Sequence, residues 1–293
     1  MYKNVLLLVV ITFSFKGYCQ IERSLFSFNH TMMSGNNNNL DFYKTNLTLN
    51  LPLKLKRGFL INSVNFNYYQ INYSNTSIIT SDINELYSLK YALTYIRPLS
   101  KKWSISTQAG VSLASNLKSS ITSNDFVYNA SLLAIKKGGN TKQPSRLMFG
   151  LAYSTFSGEY RFLPIINYTK VINNKFSYGI GFPRTYFKYN INSRNILKIQ
   201  AELNGLNANL SNPLGVNTNN LAQKASFTTA GLGLEYTYWM DNNWAISFNG
   251  GYAIYNNYEL QDENYNKVHE FKVEPAPYFS AGLKFNLKNK TIK

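Results

Sequence analysis

The chain has 293 residues, 30 basic and 14 acidic side chains, 15% charged residues and 15% aromatic residues, including 23 Tyr and 19 Phe. An ordinary soluble surface carries about 25% charged residues and a disordered chain is poor in aromatics, so neither explains this composition. So many Tyr residues suit a boundary between apolar and wet surroundings, and the length fits one closed barrel or sandwich domain.

The chain opens with Lys3, an apolar run from Val5 to Phe15, and the small residues Gly17 and Cys19 just before Gln20. This pattern predicts a secretory signal over residues 1–19, cleaved before Gln20, with residues 20–293 forming a single exported barrel. A lipid-modified Cys19 is disfavoured by the bulky Tyr18 and by Lys16 and Gly17 ahead of it. Losing Lys3 and Lys16 leaves 28 basic against 14 acidic residues, a charge of +14, and no cysteine for a disulfide. No later stretch offers eighteen consecutive apolar residues, so a helical membrane span is excluded and only strands can cross a bilayer. The basic residues are scattered rather than clustered, which points away from nucleic acid and toward outer-membrane lipids and lipopolysaccharide as partners.

Along the mature chain, segments of about ten residues or more alternate with period two and are separated by Asn-, Ser-, Gly- and Lys-rich breaks. The first candidate strand, Ser24 to Met32, reads either as part of the wall or as a lumenal or periplasmic piece. Tyr87, Leu89, Tyr91, Leu93 and Tyr95 alternate with Ser88, Lys90, Ala92 and Thr94, and after Ser100-Lys101-Lys102 the series Trp103, Ile105, Thr107, Ala109, Val111 and Leu113 continues the pattern. Phe126, Tyr128, Ala130, Leu132 and Ala134 are followed by a Lys136 to Ser145 break and then Leu147, Phe149, Leu151 and Tyr153. Ala230, Leu232, Leu234, Tyr236 and Tyr238 lead through Met240 to Asn243 into Trp244, Ile246, Phe248, Tyr252 and Ile254. Trp103 and Trp244 each open a strand after a short turn, where an aromatic girdle at the inner interface would lie.

A soluble sandwich also alternates, but its outward face carries Lys, Glu and Arg. Here the polar face is Ser, Thr, Asn, Gln, Gly and Ala, and the bulky face ends in Tyr and Trp, which suits a wet lumen with lipid outside. The predicted fold is therefore all-β, a transmembrane antiparallel up-and-down β-barrel of about 12 to 14 strands. Short breaks at Lys54 to Arg57, Ser100 to Lys102, Ile172 to Asn174, Ile191 to Asn195 and Met240 to Asn243 alternate with longer ones at Ser34 to Asn39, Tyr73 to Asp82, Asn116 to Asp125, Gly205 to Lys224 and Asn256 to Glu270. Short inner turns and longer outer loops are the usual asymmetry. The Lys136 to Ser145 break is long for this rule and Ser157 to Glu159 is short. Treating Lys175 to Tyr189 as one strand gives thirteen, while a break at Gly181-Phe182-Pro183 gives fourteen, since Pro183 lacks the ladder N–H.

In the last strand Ser280, Gly282, Phe285 and Leu287 resemble the terminal signal read by the barrel assembly machinery, which would capture an unpaired closing edge by strand addition. Together with Tyr18-Cys19-Gln20, Leu163-Pro164 with Tyr168, and Gly181-Phe182-Pro183, this makes the chain resemble an uncharacterised family of Bacteroidetes-type single-chain outer-membrane β-barrel proteins. The resemblance implies a location and an architecture; it implies no substrate and no catalytic residues.

No catalytic constellation emerges. The two histidines, His30 and His269, lack the His–Ser pair two apart on one strand that lipid-facing acyl hydrolases use, and Asp262, Glu263 and His269 lack the paired spacing of rim proteases. Glu259, Asp262, Glu263, Glu270 and Glu274 fit no calcium-loop pattern, and no metal or other cofactor is expected. The alternation instead directs Lys44, Lys54, Lys90, Arg146, Lys198 and Lys284 inward, with Glu202 and Glu235. Surplus positive charge in a pore favours anions, so the leading expectation is a passive, mildly anion-preferring channel for small hydrophilic solutes. The alternative is a closed-lumen adhesion or envelope-structural barrel, its charges paired with inserted loops such as Gly205 to Lys224.

Overall fold

The computed structural model describes residues 24–34, 40–74, 80–217 and 220–287. The predicted signal at 1–19, its cleavage point, residues 35–39 of the first long loop and 75–79 of the second lie outside these residues.

The strands are β1 (Phe26–Met33), β2 (Leu40–Leu55), β3 (Gly58–Tyr73), β4 (Glu85–Pro98), β5 (Trp103–Ser115), β6 (Phe126–Gly139), β7 (Pro144–Ser154), β8 (Arg161–Val171), β9 (Phe176–Phe182), β10 (Arg184–Asn190), β11 (Asn195–Asn217), β12 (Asn220–Trp239), β13 (Trp244–Gln261), β14 (Lys267–Phe271) and β15 (Ala276–Phe285). Each strand from β1 to β13 pairs antiparallel with the next, β13 pairs with β15, and β15 pairs with β1 from Phe26↔Phe285 to Met33↔Tyr278, closing the barrel. Fourteen strands form the wall, and β14 pairs only with the outer extension of β13. Ser24 to Met32 thus enters the wall as β1. The Lys175 to Tyr189 segment splits at Phe182-Pro183, a cis peptide that turns β9 directly into β10.

Five of the six short turns on one rim share one chemical device. Ser100, Asn140, Asn173, Asn192 and Asp241 each accept, on a side-chain oxygen, the backbone N–H groups two and three residues ahead, at 2.7 to 3.3 Å. A polar side chain that mimics a backbone turn acceptor satisfies donors the ladder has just released. The long-looking Lys136 to Ser145 break is one of these turns, because β6 and β7 extend into it and leave only Asn140 to Gln143 unpaired. Both described chain ends lie on this same rim, where Leu25 N–H bonds to Phe285 O at 2.9 Å.

Alternation sets the faces. Leu89, Tyr91, Leu93, Leu132, Leu151, Ile166, Leu232, Leu234 and Phe248 are exposed on the outside, forming a broad apolar belt that a soluble protein would not leave bare. At the turn-side rim the Trp244 ring meets Phe26 at 6.4 Å and Phe285 at 4.8 Å, and Trp103 meets Phe149 at 6.3 Å with Lys136 Nζ 5.4 Å above its ring. These rings form the girdle that the sequence pattern predicts, and the chain is a transmembrane barrel.

The closing seam explains Gly282. A Cβ there would stand 2.0 Å from Asn29 Oδ1 and 2.7 Å from Phe28 O, so a side chain at this position collides with β1 as the barrel shuts. Ser280 and Gly282 face inward while Phe279, Ala281, Leu283 and Phe285 face outward; Leu287 lies beyond the strand end. Within the Ser280, Gly282, Phe285 and Leu287 set, Ser280 and Gly282 thus face the lumen and Phe285 faces outward.

Candidate functional site

The lumen has two unlike halves. At the turn side lies a cavity of about 990 Å³. Seven basic residues line it (Lys44, Lys137, Arg146, Arg184, Lys188, Lys198 and Lys284), against two acidic ones, Glu202 and Glu235. One registered row crosses seven strands: Lys188, Lys198, Glu235, Asn249, Ser280, Thr31 and Lys44. Strand pairing holds these side chains at neighbouring positions on one face. Glu235 Oε1 accepts from Lys198 Nζ at 3.0 Å and Lys284 Nζ at 2.9 Å, while Thr237 Oγ1 donates to it at 3.2 Å. Two inward rows away, beyond Tyr186 and Gln200, Arg184 pairs with Glu202 at 2.9 Å.

Six of the residues assigned to the lumen by alternation (Lys44, Arg146, Lys198, Glu202, Glu235 and Lys284) therefore line this cavity. Lys90 shares the inward face of β4 but lies away from it, and Lys54 sits at the exposed end of β2. Across the wall Lys198 and Lys284 share Glu235, and Arg184 pairs with Glu202.

The other half is packed. Leu203 N–H still bonds to Pro183 O at 3.1 Å, but beyond this point β11 has no partner on its β10 side, because the β9–β10 hairpin ends at Pro183. Freed from the wall, the β11–β12 hairpin crosses the lumen to the far side, where Asn209 pairs with Ser115 of β5. Asn116 N–H bonds to Asn209 O at 3.2 Å, Asn116 Oδ1 accepts from Ser211 N–H at 2.9 Å, and Asn209 Nδ2 donates to Asp125 Oδ1 at 2.9 Å. Burial pushes the Asp125 carboxyl up, but hydrogen bonds from Ser115, Thr122 and Asn209 outweigh it and hold its pKa below the ordinary aspartate value.

Thr155–Tyr160, between β7 and β8, backs the hairpin. Asn207 Nδ2 and Ser226 Oγ both donate to Gly158 O, at 3.0 and 2.8 Å. Gly205 is required at the crossing, since a Cβ there would lie 1.9 Å from Thr155 O. Leu206, Ala208, Leu210 and Phe227 then join Phe42, Ile71, Ile83, Leu86, Tyr258 and Leu260 in one apolar cluster in which Ile83, Leu86 and Leu260 are 0% exposed. Tyr73 Oη and Tyr258 Oη satisfy each other inside it at 2.6 Å. The cavity ends against Met33, Phe42, Tyr69, Leu206 and Phe227.

Period-two alternation does not reveal this packed half, but a change of residue type along the inward positions does. Along the inward positions of β11 the residues run Lys198, Gln200, Glu202 and Asn204, then switch to Leu206, Ala208 and Leu210. The same switch separates Lys44 from Phe42, Asn67 from Tyr69 and Ile71, and Ser88 from Leu86. Gly205 to Lys224 reads as a polar loop from its Asn content but folds largely as paired strand, and Asn256 to Glu270 is likewise the β13 end with β14.

Of the remaining candidates, His30 faces outward and its Nδ1 lies 2.9 Å from Thr45 Oγ1. His269 sits on β14, its pKa lowered by burial against an opposing pull from Glu270. The acidic loop is internally engaged: Lys267 holds Glu270 at 2.6 Å, Lys272 holds Glu274 at 2.9 Å, and Asp262 caps Asn264 and Asn266. No group of three or more His, Cys, Asp or Glu is arranged to hold a metal among the described residues.

Among solved structures, the chain is similar to one described as NanC porin in a rhombohedral crystal form, at 12% identity and a TM-score of 0.42, covering 89% of this chain and 100% of that one. It is also similar to KdgM porin, at 9% identity and a TM-score of 0.37, covering 89% and 98%, and to KdgM porin in complex with disordered oligogalacturonate, at 10% identity and a TM-score of 0.35, covering 89% and 99%. No curated protein matches the sequence. The family described as a domain of unknown function, DUF6268, matches residues 20–286, and the chain belongs to it.

Proposed function

We propose that the protein is a bacterial outer-membrane channel for small anionic solutes, with passage controlled by the β11–β12 hairpin. One observation carries this reading: seven basic residues against two acidic ones on the wall of the wide half of the lumen. Fixed positive charge in a low-dielectric wall lowers the entry barrier for anions and raises it for cations. The net charge of +14 expected once the signal is removed fits a membrane rich in lipopolysaccharide, and the β15 edge is the strand that the assembly machinery would capture before Gly282 closes on β1.

A specific observation also favours a second reading, a permanently closed barrel that acts through its outer loops: the hairpin seals the lumen with side chains that are 0% exposed. Planar-bilayer recordings of refolded protein in asymmetric potassium chloride separate the two. The channel reading predicts openings with a reversal potential on the chloride side, moved toward potassium by Lys44→Glu and Arg146→Glu. A correctly folded barrel that never conducts supports the second reading.

A further inference from the structure

The cavity offers two chemistries at its two ends. Its open, turn-side part carries Lys188, Lys198, Lys284 and Arg146, whereas its blind end is made of Met33, Phe42, Leu206 and Phe227. Lys44 marks the boundary: two residues from Phe42 on the same face of β2, it holds its ammonium 5.3 Å from the centroid of the Tyr69 ring. A bare inorganic anion would engage the cations and leave the apolar end wetted, which the hydrophobic effect disfavours. A ligand with an anionic head and one apolar chain satisfies both ends at once. The volume, about 990 Å³, is at the upper end of the range of about 300–1,000 Å³ typical of sites that enclose small organic ligands.

We infer that the lumen is a binding site for a single-chain anionic amphiphile, its carboxylate or phosphate head held by Lys198 and Lys284 and its chain lying against Phe42, Leu206 and Phe227. The ligand enters chain first from the turn side, because the packed hairpin blocks the other end. The inference rests on the cationic-lumen reading above and adds the ligand class.

Trp239 gives a selective reporter. It lines the turn-side part of the cavity, whereas Trp103 and Trp244 lie on the outer girdle, and the chain has three tryptophans. In a Trp103→Phe/Trp244→Phe protein kept in amphipol, Trp239 is the sole tryptophan and is read by selective tryptophan excitation. Stearate carrying a nitroxide near its carboxylate should quench Trp239 saturably, and more strongly than stearate carrying it near the methyl end. Decanoate and decyl phosphate should compete, separating a fatty-acid head from a phosphate head by their relative strength. Acetate and inorganic phosphate should not. Lys284→Gln, which leaves Glu235 paired with Lys198, should weaken binding about tenfold with the order of the two probes unchanged.

Quenching that does not saturate in correctly folded protein, or that is equal or reversed between the two probes, overturns the inference. So does competition by acetate as strong as that by decanoate, an outcome that leaves the anion channel standing. Retained stearate binding in a barrel that never conducts anions instead removes the channel reading and leaves the amphiphile site.

Discussion

The two halves of the lumen are built on the same strands, yet one is a charged cup and the other a dry core. On β2 the change occurs between Lys44 and Phe42, on β11 between Asn204 and Leu206, and on β12 between Thr229 and Phe227. A barrel wall fixes only which side chains point inward. Whether they meet water or protein depends on what else enters, and here the entry is permitted by a local accident of strand length: β9 and β10 are seven residues each, so β11 loses its neighbour and folds inward. The same alternating pattern thus yields a pathway at one level and a plug at the next.

This contrast can be tested by removing side chains from each half. Leu86→Ala, in the dry half, should cost about 2–5 kcal/mol in equilibrium unfolding from lipid vesicles, whereas Ile196→Ala, on the partly exposed wall of the cup, should cost well under that. Equal losses would mean that the dry half is not packed. The lipid-facing wall provides the next effect: Leu132→Arg, on the belt, should destabilise by about 2–4 kcal/mol, and a neutral result would remove the bilayer from that face. In the cup, Glu235→Gln removes the carboxylate charge that Lys198 and Lys284 share and should cost about 1–3 kcal/mol while moving ion selectivity further toward anions.

The smallest effect concerns the hairpin latch. Asp125 has a depressed pKa, so its ionised hydrogen bonds stabilise the latched hairpin above the ordinary aspartate pKa of about 3.9, and that contribution is lost as pH falls through the lower folded-state value. Protease nicking near Asn209 should rise on acidification below about pH 4 in the wild type, and Asp125→Asn, costing about 1 kcal/mol, should abolish that pH step. A step that persists in the variant would place the titrating group elsewhere.

Much of the wall was legible in the sequence, because a period of two needs only local information: the hairpins around Ser100 and Met240 and the tryptophan girdle follow from it, while the break at Phe182-Pro183 rests on the ladder N–H that Pro183 lacks and stood beside an unbroken thirteen-strand reading. The inward set at Lys44, Arg146, Lys198, Glu202, Glu235 and Lys284 follows from the same parity. What alternation leaves undetermined is depth within the barrel. Lys90 has the right parity but stands outside the cavity, and the hairpin looked like a polar loop because Asn207 and Asn209 are spent on Gly158 and Asp125, partners 49 and 84 residues away. Side chains whose polar groups are satisfied at long range carry no local mark of burial.

In the proposed channel, the β11–β12 hairpin is a removable closure of a cationic lumen. Single-channel recording of a variant in which β11 is rejoined to β12 by a short turn between Gly205 and Thr228 tests it most directly. A steady, anion-selective conductance larger than that of the full-length protein is predicted. A folded, membrane-inserted variant that stays silent, or that passes potassium in preference to chloride, would contradict it.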